Sequence, residues 1–151
     1  MEFHIPKNLK DFNRYGRDYL FGHLDMEFLK VKEHEVVGQI ALNKYHFGWN
    51  NYVHAGTIFA LADSCAGYGC VCSLPDGAIG FTTIETKTNF LANIDQGKIK
   101  ALAVPVHQGR STQVWDVDVS SVESGNLLSC YRCTQMILWP SSGADVVSCG
   151  V

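Results

Sequence analysis

Residues 54–72 form the one stretch of this chain that is apolar on nearly every side. Ile58, Phe59, Leu61, Tyr68 and Val71 are interleaved with Ala60, Ala62, Ala66, Gly67 and Gly69. A helix that is apolar all round has to be buried. Its small residues let a surrounding sheet come close to the helix backbone. Ser73-Leu74-Pro75-Asp76-Gly77 then supplies the turn chemistry that ends it. A helix over residues 54–73 is the expected centre of the fold.

The other segments read as what would surround that helix. Residues 7–22 carry a weak helical pattern through Leu9, Phe12, Tyr15 and Tyr19. Residues 28–42, rich in Val and Ile, read as a strand or hairpin. Residues 44–53 are a loop with Gly48, Asn50 and Asn51 as turn formers. Strands follow at 79–92, 97–109, 111–123 and 126–139, separated by hairpin-like breaks. Pro105 predicts a bulge or an edge within its strand. The length suits one domain over residues 1–140, with 141–151, small and polar, as a flexible tail. Helix, strand, buried helix and four antiparallel strands predict an α+β fold, a curved sheet wrapped around the central helix. Five strands and one helix leave sheet edges open, which predicts at least a dimer.

Composition narrows the function classes. Net charge is −3, so no broad basic field invites nucleic acid or an anionic membrane. The longest apolar stretch is interrupted by Asp63 and Ser64, and no membrane span is expected. The first residues show no basic segment followed by an apolar core, which predicts a cytoplasmic protein. In that compartment the six cysteines are expected as thiols. Cys130 and Cys133 have C-x-x-C spacing, but in a strand positions three apart point to opposite faces, so both read as packing residues. His4, His23, His34, His46 and His107 show no metal-ligand spacing; no metal or other cofactor is expected.

Asp63 is the residue hardest to reconcile with a purely structural helix. Buried carboxylates are rare unless paired. It bonds a neighbouring hydroxyl or backbone amide, or simply faces a wet interface, or it is held in a cleft as general base or nucleophile. Gly56 stands in the first turn of the same helix, where free N–H groups and the helix dipole favour a developing oxyanion; it could equally just ease helix entry. The seven residues between Gly56 and Asp63 amount to roughly 10 Å along a helix axis. One carbonyl cannot touch both within a single subunit. If both act, they come from different subunits. His54 is either an acid–base group or a structural hydrogen-bonding residue. The turn Gly109-Arg110-Ser111 could hold a phosphate, or be a solvated hairpin.

These residues resemble the PaaI-like branch of the hot-dog-fold thioesterases. That family opens its long helix with His-Gly-Gly and carries the helix carboxylate nine residues after the His, often in Leu-Ala-Asp. Here His54-Ala55-Gly56 and Leu61-Ala62-Asp63 stand at that spacing, and Gln108-Gly109-Arg110-Ser111 is similar to a downstream Gln-Gly-Lys/Arg turn. Asn89-Phe90-Leu91 is similar to a strand that commonly reads Phe-Leu-Arg-Pro. The sequence departs from the family at Ala55, where the first Gly would stand, and at Gly48, where Asn or Gln is common; Asn50 and Asn51 are the candidates to stand in.

The resemblance implies a hot-dog homodimer, often paired into a tetramer as a dimer of dimers. It implies hydrolysis of an acyl-CoA (or acyl-carrier-protein) thioester to a carboxylic acid without a metal. Asp63 would activate water or attack the thioester, and the Gly56 amide of the other subunit would polarise the carbonyl. Thr83 matches a hydroxyl position that helps place water, and Arg110 would lie near the CoA phosphates. The departures leave a second expectation, a non-catalytic acyl-CoA-binding protein.

Overall fold

The computed structural model describes residue 6 and residues 8–140; the expected tail, 141–151, lies outside the described residues. The chain runs through α1 (Leu9–Tyr15), α2 (Leu20–His23), β1 (Met26–Lys32), β2 (Glu35–Ala41), α3 (Ala55–Cys72), β3 (Gly80–Phe90), β4 (Lys98–Gln108), β5 (Thr112–Ser121) and β6 (Leu127–Leu138). All strand pairs are antiparallel, in the order β1-β2-β4-β5-β6-β3. This curved, unclosed sheet wraps α3, the hot-dog arrangement.

Two expectations need correction. The sheet has six strands rather than five, because residues 28–42 fold as a hairpin that turns at Glu33-His34. The single helix expected over 7–22 is two short ones. The chain doubles back after Gly16, bringing the Gly22 N–H to the Gly16 carbonyl at 3.1 Å. A Cβ at Gly16 would sit 2.5 Å from the Phe21 ring, so the corner needs that glycine. Pro105 does fall at a bulge: the β4–β5 register shifts between Pro105 and His107.

The sheet lies very close to α3, as its small residues predict. A Cβ added at Gly69 would meet the Trp115 ring at 2.5 Å, and one at Gly38 would meet Cys65 Sγ at 2.8 Å. Trp115, Tyr131, Leu61, Ile99 and Leu128 fill the layer between helix and sheet. At the helix end Trp115 Nε1 donates to Gln113 Oε1 (3.0 Å), and Gln113 Nε2 donates to the Ser73 carbonyl (2.9 Å). By length and hydropathy alone α3 could pass for a membrane span, but more than half of it is buried under this sheet.

The two sheet edges are treated differently. The Asn13 side chain imitates a neighbouring strand on β1, with Nδ2 donating to the Phe28 carbonyl and Oδ1 accepting the Phe28 N–H, both at 2.9 Å. The α1 and α2 helices also lie against β1. The other edge, β3, is eleven residues long and exposed along most of its length, with Ile84 54% accessible. A long bare edge is a template for another strand.

Gly69→Ala should cost about 1–3 kcal/mol of stability, because the indole has no direction in which to retreat. Urea unfolding would register this as a lower midpoint at unchanged slope.

Candidate active site

One stripe of α3 escapes burial. Gly56, Ala60, Asp63 and Gly67 follow each other at helical spacing and are exposed or half-buried, while Leu61, Ala62, Cys65, Ala66 and Cys70 are buried behind them. Asp63 is therefore not an apolar-core carboxylate. It sits at the margin of the helix, on the side of the bare β3 edge. There it helps line a cavity of about 270 Å³ with Ser64, Gly67, Tyr68 and Val71 of α3, Phe21 of α2, and Phe81 and Thr83 of β3. The structure thus brings Asp63 and Thr83 to one cavity. Apart from those two and Ser64, its side chains are mostly apolar.

Asp63 lines a cleft and also has a neighbouring hydroxyl. Tyr131 of β6 donates its O–H to Asp63 Oδ1 at 2.6 Å. Tyr131 is 2% exposed, and its ring meets Phe59 edge-on with centroids 5.4 Å apart. Burial first, then the bond to Asp63, pushes the phenol well above its ordinary value, so it stays a donor. Nothing in the local sequence around Asp63 signals Tyr131. The only trace is the alternation of β6, which turns 131, 133 and 135 inward.

The start of α3 belongs to a different cleft in the same subunit. Gly48, Asn50, Val53, His54, Ala55, Phe90 and Asn93 are among the residues around it, and Asp63 is not. His54 is the N-cap. Its Nδ1 accepts the Gly56 N–H at 2.9 Å, which in the neutral ring leaves the proton on Nε2. Gly56 makes room for this bond, since a Cβ there would stand 2.9 Å from Nδ1. The Gly56 amide expected to polarise a carbonyl is therefore already engaged. Among the described residues the amide one position earlier, on Ala55, donates to no protein group, and it is exposed at the helix start.

The loop ahead of the helix is anchored by a residue whose role the sequence did not reveal. His46 is fully buried. Its Nδ1 accepts the Asn43 N–H, and its carbonyl accepts both the His54 N–H (2.8 Å) and the Thr57 hydroxyl (3.1 Å). Burial holds its ring below the ordinary histidine range, against a smaller opposing pull from Asp25. Asn50 and Asn51 part company in this loop. Asn50 borders the His54 cleft, with Oδ1 accepting the Tyr52 N–H at 3.3 Å. Asn51 takes the left-handed conformation (φ 62°) and lies on another groove beside Asp95.

The turn after β4 lies at the opposite end of the subunit, near the C-terminus of α3. Gln108 is tied to Glu33 and His34, the Gly109 N–H closes on the Thr112 carbonyl, and the Ser111 carbonyl accepts the Ile137 N–H. Its Gly109 amide is thus spent within the hairpin and is not free for a phosphate. The Arg110 guanidinium is stacked 4.2 Å from the centre of the Trp139 ring and could meet an anion. Of the two spaced cysteines, Cys133 is buried inside and Cys130 half-buried on the outer face.

The thioesterase superfamily model matches residues 50–127, just over half of the chain and spanning both the helix and the later strands. The chain belongs to the thioesterase superfamily. Relatives agree with this. The 1,4-dihydroxy-2-naphthoyl-CoA hydrolase of Listeria monocytogenes is 31% identical over 111 residues, 74% of this chain and 89% of that protein. The protein of the same name in Escherichia coli is 26% identical over 136 residues, 86% of this chain and 94% of its own. Among solved structures, a Haemophilus influenzae thioesterase superposes with a TM-score of 0.82 at 22% identity, covering 91% of this chain and 95% of that one. The E. coli PaaI protein superposes at 0.73 and 20% identity, covering 83% and 88%. The chain is a thioester hydrolase with the hot-dog fold.

Removing the helix cap should be felt at once. His54→Ala is expected to cost about 1 kcal/mol. Gly56→Ala should lose a similar amount, by pushing the imidazole aside. Equilibrium unfolding of both variants and of the double variant would check this; the pair should be clearly less than additive.

Proposed function

We propose that this thioester hydrolase cleaves acyl-CoA to a carboxylic acid and CoA at sites shared between two subunits, with Asp63 as the general base or nucleophile. The observation that carries the reading is the separation of two half-sites. Asp63 and Thr83 line one cavity, His54, Ala55 and Asn50 line another, and both border the bare strand β3. Phe81 and Thr83 are at one end of β3 and Phe90 is at the other. Antiparallel pairing of β3 with β3 of a second copy about a twofold axis lays the Phe81–Thr83 end of one strand beside the Phe90 end of the other. Each Asp63 then faces the helix start of the second copy. This supports a homodimer; a tetramer would be a dimer of such dimers.

In this arrangement the acyl group lies against Phe21, Tyr68, Val71 and Phe81, which favours a compact apolar or aromatic acyl chain. The names of the Listeria and E. coli relatives point to the same class. The thioester carbonyl meets the first turn of the other helix. The Ala55 amide is the donor of choice, because that of Gly56 is held by His54. Two features of a helix start, a free N–H and the positive end of the dipole, stabilise the oxyanion there. The side chain at 55 plays no part, so alanine serves as well as glycine. Asp63 either removes a proton from water held near Thr83 or attacks the carbonyl carbon. His54 orients the helix start rather than exchanging protons. Arg110 remains the candidate for the CoA phosphates.

Thiol release from a panel of aromatic, short, medium and long acyl-CoA esters, with an acyl-carrier-protein ester alongside, tests the substrate class. Asp63→Asn should lower kcat at least about 100-fold with its circular dichroism unchanged. Acyl-CoA binding by the wild type with no thiol release would instead identify a non-catalytic binder.

Ala55→Pro removes the amide hydrogen at a position where proline suits the first turn, and the preceding His54 is already extended (φ −68°, ψ 135°). Its kcat should fall about 100-fold while stability holds. Mixing denatured Asp63→Asn and Ala55→Pro chains and refolding them together should restore about a quarter of wild-type activity, because each hybrid dimer regains one intact site. No recovery would exclude the shared site.

A further inference from the structure

The catalytic reading uses Asp63 but leaves unexplained why a buried tyrosine is aimed at it. Tyr131 comes from β6, 68 residues downstream, and bridges the helix–sheet layer to reach the carboxylate. Its ring is fixed by Phe59 on one side and by the packed core around it. An O–H···O contact of 2.6 Å lies in the range of charge-assisted bonds to an ionised carboxylate. The neighbouring hydroxyl on the helix is not available for this, because Ser64 Oγ donates to the Ala60 carbonyl at 2.6 Å.

We propose that Tyr131 is a positioning residue for thioester hydrolysis: its hydroxyl holds Asp63 Oδ1, so that Oδ2 alone is presented to the cavity shared with Thr83. This rests on Asp63 being the reacting carboxylate. A free carboxylate rotates broadly about its last torsion and offers either oxygen. Anchoring one oxygen from the rigid strand stops that rotation and sets the direction in which the other points. A neutral phenol does this without cancelling the negative charge that a base or nucleophile needs, as an arginine or lysine would.

Few other groups compete for control of this carboxylate. Cys133, two residues along β6, and Tyr68, five residues along α3, are both pushed by burial up to about 12 and stay neutral in the working range. Glu85 on β3 is turned towards Thr134 and away from the cavity. Among the described residues, changing the Tyr131 hydroxyl therefore changes the one hydrogen bond that Asp63 Oδ1 accepts.

The test is Tyr131→Phe, which keeps the ring and its contact with Phe59. The expected result is a kcat lower by about 10- to 100-fold at nearly unchanged KM. In the background of Asp63→Asn the same change should have little further effect. A purely structural tyrosine would lower the melting temperature and the active fraction, leave kcat per folded molecule unchanged, and lower residual activity by the same factor in the Asp63→Asn background. If Tyr131→Phe folds poorly, kcat per folded molecule is read well below its unfolding transition, where the loss should persist. Wild-type kcat per folded molecule in Tyr131→Phe would overturn the proposal. If Asp63→Asn is inactive while Tyr131→Phe behaves as wild type, only this inference falls. If Asp63→Asn is fully active, the catalytic reading falls with it.

Discussion

Everything in this structure depends on how closely the sheet approaches one helix. The contact of Gly69 with the Trp115 indole leaves no room for even a methyl group. Such an approach needs small residues on α3, and those residues carry little side-chain area of their own. The helix is held instead by large side chains from the sheet, with Trp115, Ile99, Leu128 and Tyr131 reaching up to it. One consequence is that the sheet, and not the helix, supplies the group that touches Asp63. A helix tiled with bulky residues would have stood further off, and the Tyr131 hydroxyl could not have spanned the gap.

A second consequence concerns the open side. The sheet covers α3 on most of its circumference and stops at β3. The stripe through Gly56, Ala60, Asp63 and Gly67 is what remains uncovered. A carboxylate on a wrapped face would have to give up its hydration entirely. On this stripe it keeps one oxygen for a buried partner and one for a cavity. The same boundary that leaves Asp63 at the margin of the helix also leaves β3 exposed, a strand on which a second copy can be received.

Much of this was legible in the sequence, for reasons that can be named. The buried helix follows from apolar residues on every side, and the strands follow from alternation and hairpin breaks. The family resemblance in the nine-residue interval from His54 to Asp63 pointed to the helix carboxylate, and its axial distance from Gly56 means that the two could act on one carbonyl only from different subunits. The parts that were not legible depend on contacts between distant segments or on hydrogen atoms. The six-strand count depended on whether 28–42 turns back on itself. The break in 7–22 depended on Phe21 folding over Gly16. That His54 occupies the Gly56 amide depends on a side-chain torsion, which no spacing encodes. Asn50 and Asn51 are adjacent and chemically identical; a positive φ at the second separates them. Tyr131 was one aromatic among several in a core strand, and only the folded chain puts it against Asp63.

The contrast between the two sheet edges has a consequence for growth. With the Asn13 amide occupying Phe28 and both short helices lying against β1, the sheet would have a valence of one. Strands can be added at β3 alone. Once two copies have joined there, neither sheet offers a fresh edge, and the continuous sheet of twelve strands terminates itself. On the proposed β3 pairing, a chain with both edges bare would propagate into a fibre by the same hydrogen bonds that would stop at two copies. The small asparagine at position 13, away from the Asp63 cavity, would then confine growth to the β3 edge.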